Sequence, residues 1–252
     1  MLKRTEMQVI KLNATDSTNA HIKRMSRLEI LPDFTVVQAN RQTAGRGQMG
    51  ALWEAEAGKN LTFSLLKRLE AFPARQHFTL NATISLSIYK ALQDLNIPEL
   101  NLKWPNDILS GGRKLCGILV ENQVQGTYIS QSIIGIGLNV NQTTFANLPG
   151  ATSMKQLTGQ DYELDQVLSV LLKHLESDLA NVDAGALNSK LKQYEDFLYL
   201  KDMPAGFRRK DGSPFEGIIR GVNPEGLLRI ERPDGSVESF ANKEVQYPAT
   251  RI

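Results

Sequence analysis

Five short apolar or polarity-alternating runs, at residues 35–40, 60–66, 102–109, 115–121 and 128–140, are interrupted by one long segment of helical period. That order constrains the fold more than any other feature, because strands alternating with helices require a mixed α/β domain. The runs are rich in β-branched residues, and Gly or Pro punctuates several of them. Between the second and third, Leu80, Ile84, Ile88, Ala91, Leu92 and Leu95 recur at helical spacing. This predicts an amphipathic helix over 75–95 with that face in the core. Residues 161–198 read as one or two further helices, broken at Asp183-Ala184-Gly185.

Past Met203 the character changes. Residues 215–220, 226–230 and 237–240 read as short strands, separated by turn signals at Asp211-Gly212, Asn223-Pro224-Glu225-Gly226 and Asp234-Gly235. A small β-barrel or meander is expected there, which divides the 252 residues into domains at 1–199 and 200–252.

Hydrophobic residues at 41% and charged residues at 22% are ordinary for a chain that folds around a core, and exclude disordered, collagen-like or low-complexity classes. The 29 Lys+Arg against 27 Asp+Glu leave a net charge of +2, so no strong basic field holds nucleic acid or an anionic membrane, and neither is an expected partner. The single cysteine, Cys116, cannot form an internal disulfide and reads as a small core residue. The segment MLKRTEMQVIKL lacks a signal-peptide core, and no apolar run approaches the roughly 18 residues of a membrane span. A cytoplasmic protein is expected.

Four stretches carry candidate chemistry. In Gln42-Thr-Ala-Gly45-Arg46-Gly47-Gln48-Met49-Gly50-Ala-Leu-Trp53, closely spaced glycines let the backbone approach a ligand. The stretch matches GxGxxG formally, but no helix start and no suitably placed acidic residue accompany it, so a dinucleotide fold is not indicated. No GK[ST] tripeptide supports a Walker loop. What remains is a glycine loop carrying Arg46, whose guanidinium can clamp a carboxylate or phosphate; an ordinary surface loop would look similar. In Lys103-Trp104-Pro105-Asn106-Asp107 followed by Gly111-Gly112-Arg113-Lys114, a Gly-Gly hairpin would bring Lys103, Asn106, Asp107 and Lys114 to one mouth of the sheet, suited to a polyanion such as ATP. Asp16-Ser17-Thr18-Asn19 precedes a helix that Ser or Thr would cap, and its side chains can also bond a neutral polar ligand. Ile134-Gly135-Ile136-Gly137-Leu138-Asn139 is a strand whose glycines let a planar ring lie on the backbone. His21, His77 and His174 show no metal-ligand spacing.

The order and residues of these stretches resemble the biotin protein ligases: Asp16-Ser-Thr-Asn19, Gln42-x-x-Gly-Arg-Gly-x-x-Gly50, Lys103-Trp-Pro-Asn-Asp107, Lys114-Leu-Cys-Gly-Ile-Leu-Val-Glu121 and Gly135-Ile-Gly-Leu-Asn139. The resemblance implies an α/β (α+β) catalytic domain of the class II aminoacyl-tRNA synthetase type, with a mixed sheet and helices, and a C-terminal SH3-like barrel. Biotin and ATP, with Mg²⁺ on its phosphates, would be bound over one sheet. Biotin would be activated as biotinyl-5′-AMP and passed to a lysine of a biotin carboxyl carrier protein.

Position by position, Ser17, Thr18, Asn19, Gln42 and Gly117 fall on the biotin side, with Arg46, Gly47 and Gln48 in the loop that closes over it. Lys114 is implied to stand between carboxylate and α-phosphate. Trp53 is implied to stack on adenine, Asn139 to contact the nucleotide, and Lys103, Asn106 and Asp107 to line the phosphate side. Arg46 and Lys114 would offset the repulsion between two reacting anions, and Asp107 would relieve the acceptor lysine of a proton. Relatives often carry arginine at the position of Gln48 and a basic residue at that of Met49, so this loop holds fewer positive charges. Only 15 residues precede Asp16, fewer than a helix-turn-helix domain needs, so a ligase without repressor function is expected. Oligomeric state is left open, a homodimer through sheet edges included. The lipoate ligases and octanoyltransferases share the chemistry but carry an arginine-rich segment and a histidine absent here, and a mere biotin-binding module would lack Arg46, Lys103 and Lys114.

Overall fold

The computed structural model describes residues 7–146, 148–180, 182, 185 and 187–248. The strands β1 (Val9–Thr15), β2 (Val36–Gln42), β3 (Leu61–Pro73), β4 (Leu100–Lys103), β5 (Asp107–Ser110), β6 (Arg113–Gln125) and β7 (Tyr128–Leu138) form one sheet in the order β1-β2-β3-β7-β6-β5-β4. Only β1 and β2 pair in parallel, so the sheet is mixed.

Side chains alternate across the pleat, which gives the sheet a core on each face. Val36, Leu65 and Ile134 join the larger core, whereas their neighbours Val37, Leu66 and Ile133 pack with Ile22 and Leu31 under α1 (Thr18–Leu28). The larger core is built on α2 (His77–Asp94), against which α4 (Leu164–Leu179) and α5 (Leu187–Asp196) pack; a short α3 (Met154–Thr158) precedes them. Each of Leu80, Ile84 and Ile88, fully buried, stabilises the fold by about 1.5–3 kcal/mol relative to exposure.

Two local expectations need correcting. The 75–95 helix is not one-faced: of the 18 residues of α2, 14 are buried, because helices cover the side away from the sheet too. Its polar residues are accommodated by back-bonding, with the hydroxyls of Thr83, Ser85 and Ser87 donating to carbonyls four residues earlier at 2.9 Å. The run 102–109 is not one strand but the β4–β5 hairpin. Pro105 cannot donate to a ladder, and the Asn106 amide donates to the Ile118 carbonyl at 2.6 Å, docking the turn on β6. The break proposed at Asp183-Ala184 lies outside the described residues; Gly185 beside it is described. Strand β1 escaped the sequence reading because it is an edge strand with no buried residue.

The remaining strands, β8 (Pro204–Arg209), β9 (Pro214–Val222), β10 (Leu228–Glu231), β11 (Val237–Phe240) and β12 (Val245–Gln246), form an antiparallel sheet in the order β11-β10-β9-β8-β12. Gly212 and Gly235, at φ +86° and +83°, turn the chain where Asp-Gly pairs predict it. Trp104 Nε1 donates to the Gly226 carbonyl at 2.9 Å and the Glu195 carboxylate accepts from Val222 N at 2.7 Å, tying this sheet to the β4–β5 turn and to α5. Among the described residues no helix is long and apolar enough to cross a membrane.

Candidate active site

The face of the large sheet that α1 covers is left open beyond the helix, over β6 and β7. A cavity of about 650 Å³ forms there. Its floor is glycine: side chains at Gly117, Gly135 and Gly137 would project into space that Trp53 and Asn19 occupy. A Cβ on Gly117 would lie 2.9 Å from the indole of Trp53, and one on Gly137 would run into the ring itself. The floor therefore does carry a planar ring, that of Trp53. Its indole N–H is buried without a partner among the described residues.

One wall is neutral and polar. Ser17 stands at the N-cap of α1 but its side chain makes no cap bond, contrary to the capping expectation. The side-chain Oε1 of Gln42 instead accepts from Thr18 N at 2.8 Å and from the Thr18 hydroxyl at 3.2 Å, so a β2 side chain caps the helix. Ser64 Oγ, buried on β3, lies 2.7 Å from Thr18 Oγ1 and 2.5 Å from Asn19 Oδ1, and Asn19 Nδ2 donates to Glu121 at 2.7 Å. The network fixes Thr18, Asn19 and Gln42 as a preformed set.

The opposite wall is cationic, and the β4–β5–β6 register builds it. Lys103 pairs with Asp107 across one ladder and Asp107 with Gly117 across the next. Gly111 and Gly112, at φ +55° and +71°, make the tight β5–β6 turn that returns Lys114 to the same mouth. Lys114 Nζ lies 2.7 Å from Asp107 Oδ1, an ion contact without hydrogen-bond alignment, and 5.6 Å from the centre of the Trp53 ring. Lys103 Nζ sits 5.0 Å over the ring of Tyr247. Burial holds the Lys103 ammonium below the ordinary lysine value; Asp107 opposes that shift and Lys114 adds to it. Burial pushes the Cys116 thiol up and leaves it an inert core residue.

The glycine loop crosses the mouth as a small hairpin. Gly47 N donates to the Ala51 carbonyl at 2.7 Å and Trp53 N to the Gly45 carbonyl at 3.0 Å. Arg46, exposed, makes no side-chain ion pair among the described residues.

Of the residues singled out in the sequence, Ser17, Thr18, Asn19, Gln42, Arg46, Gly47, Gln48, Trp53, Lys103, Asn106, Asp107, Lys114 and Gly117 all line this one cavity. Asn139 is not among the lining residues: its side-chain amide donates to the Thr152 carbonyl at 3.0 Å, bracing the strand end. Sequence reasoning missed Ser64, and it missed the second sheet's contribution to the wall, Lys210, Asn242, Lys243 and Tyr247. No local pattern could have found these, since what places them is contact between distant segments. Five cations, Arg46, Lys103, Lys114, Lys210 and Lys243, face the cavity against the single carboxylate of Asp107. A chain of net charge +2 has gathered a positive field in one place. No group of three or more His, Cys, Asp or Glu suited to a metal occurs among the described residues.

Fold and site together define a mixed α/β protein whose central sheet floors a cation-lined cavity under a glycine loop. The chain belongs to the biotin/lipoate A/B protein ligase family, whose pattern matches residues 12–139. It is 35% identical over 242 residues to the biotin--[acetyl-CoA-carboxylase] ligase of Paracoccus denitrificans, covering 89% of this chain and 94% of that protein. It is 29% identical over 209 residues to the bifunctional ligase/repressor BirA of Bacillus subtilis, covering 81% of this chain; the chain spans 63% of that relative's length. The solved structure of the biotin protein ligase from Aquifex aeolicus in complex with biotin and ATP superposes with a TM-score of 0.77 at 25% identity, covering 95% of this chain and 99% of that one.

Proposed function

We propose that the chain is an ATP-dependent biotin protein ligase, which joins the biotin carboxylate to the α-phosphate of ATP, releases pyrophosphate, and passes biotin from biotinyl-5′-AMP to a lysine of a biotin carboxyl carrier domain. The observation that carries this reading is the cavity itself, a neutral hydrogen-bonding wall facing a cationic one across a glycine floor. On this reading residues 1–199 form a catalytic domain of the class II synthetase type and residues 200–252 an SH3-like barrel that completes its wall.

Thr18 and Asn19, already oriented by Ser64, and Gln42, bonded to Thr18, hold the polar head of the acid, with Ser17 and Gly117 beside them. Lys114 leaves Asp107 for the incoming carboxylate and α-phosphate, and stabilises the charge that builds up as the two anions meet. Arg46 supplies a second cation from the loop, while Gly47 and Gln48 close over the product anhydride and keep water from it. Lys103 and Asn106 line the polyphosphate side, and Trp53 offers adenine a ring to stack on. Asp107, with Lys114 drawn away, is the carboxylate left to take a proton from the acceptor amine. One carboxylate cannot hold a divalent ion by itself, so Mg²⁺ would arrive on the phosphates, where it neutralises charge.

The family name covers lipoate as well as biotin, so the test uses both acids. Purified protein with Mg-ATP should release pyrophosphate with biotin and label the lysine of a carrier domain. Turnover with lipoate alone would reassign the substrate, and turnover with neither would reduce the chain to a binding protein.

A further inference from the structure

The glycine loop touches the C-terminal sheet at its tip. Asn242 Nδ2 donates to Gln48 Oε1 at 2.6 Å, and Lys243 Nζ donates to the Met49 carbonyl at 2.8 Å, contacts between residues 194 positions apart. The turn that makes them is closed on itself: Ala241 N donates to the Glu244 carboxylate at 2.7 Å and Glu244 N to the Ala241 carbonyl at 3.0 Å. Met49 and Lys243 both hold left-handed backbone, at φ +49° and +67°, which a side chain bearing a Cβ adopts only where its surroundings enforce it. Two strained residues therefore meet at one contact.

The loop's two legs carry Arg46 and Trp53, bridged through Arg46 and Leu52. Whatever holds the tip sets the aim of both. We propose that Asn242 and Lys243 are positioning residues for the glycine loop, latching it over the cavity so that opening of the site is controlled by the C-terminal sheet. Opening the mouth then requires breaking two specific hydrogen bonds instead of the free swing of a glycine-rich segment. The consequence for chemistry rests on the ligase reading: the latch would slow escape of the acyl adenylate.

Hydrogen exchange on the full chain without added ligands tests the latch apart from that reading. Amides of residues 45–53 should exchange about tenfold faster in Asn242→Ala and in Lys243→Met, as expected for losing one net hydrogen bond. Amides of β3 and β7 should be unaffected. Lys243→Arg, which keeps a donor, should restore protection. Gln48→Ala breaks the same contact from the loop side without touching the second sheet, and combined with Asn242→Ala should add nothing to either alone. Unchanged loop exchange in these variants, or fully additive effects, would overturn the latch. If the loop responds as expected while no acid is activated, the ligase reading fails and the latch stands.

Discussion

Asp107 and Lys114 face each other at 2.7 Å across the β5–β6 pair, and Lys103 sits opposite Asp107 in register on β4. Asp107 thus pairs directly with Lys114 and acts on Lys103 only through its field, and on the proposed reading substrate anions would draw Lys114 away from it. Asp107→Asn keeps the shape and removes the base. Pyrophosphate release with biotin and Mg-ATP should stay within a few-fold of wild type, whereas transfer from preformed adenylate to a carrier lysine should fall about 100-fold, the scale of general-base catalysis. Equal transfer rates in the two proteins would remove Asp107 from the second step.

Lys103 should give the site an alkaline limit. Its folded value lies below that of an ordinary lysine because burial disfavours the ammonium. The charged form therefore costs stability below the folded value, and that cost disappears as pH rises from the folded toward the unfolded value. A bound anion favours the ammonium, so nucleotide affinity should be full below the folded value and be lost as pH rises through it. Lys103→Arg keeps its charge and should move the loss to higher pH, as read by calorimetric titration with ATP across a pH series.

Trp53 rests on Gly137, and a methyl group there has no room. Gly137→Ala should expel the indole into solvent, shift its emission to the red and lower stability by about 1–3 kcal/mol. The chain has two tryptophans, and the other, Trp104, is buried with its N–H bonded to Gly226. A Trp53→Phe background should abolish the shift.

Ser64 supports the polar wall without lining it. Ser64→Ala leaves Asn19 Oδ1 and the Thr18 hydroxyl short of a buried partner, which should cost about 1–3 kcal/mol in denaturant unfolding. It should also weaken biotin binding while leaving ATP binding unchanged, because the network serves one wall only.

The candidate site was legible wherever its residues lie close together in the chain. Lys103 to Lys114 is a hairpin, so strand alternation and a Gly-Gly turn are enough to bring its lysines to one mouth. Asn139 shows where that logic stops: it follows the glycine strand directly, yet its amide turns to Thr152. Helix α2 shows a second limit. Periodicity records which side chains are apolar, and it passed over the buried Thr83, Ser85 and Ser87 because back-bonding inside the helix satisfies their hydroxyls.

From the sequence alone came the mixed α/β class, the glycine loop, the cationic hairpin and the change of character near residue 200, since each is written in a few consecutive residues through period, turn chemistry or spacing. The tertiary structure decided the rest: that Trp53 lies on Gly117 and Gly137, that Ser64 orients Thr18 and Asn19, and that Asn242 and Lys243 grip the loop nearly two hundred positions earlier. These are contacts between segments whose local patterns are each satisfied without the other: loop and helix laid on the large sheet bring the first two within reach, and only the packing of the second sheet against the first supplies the third.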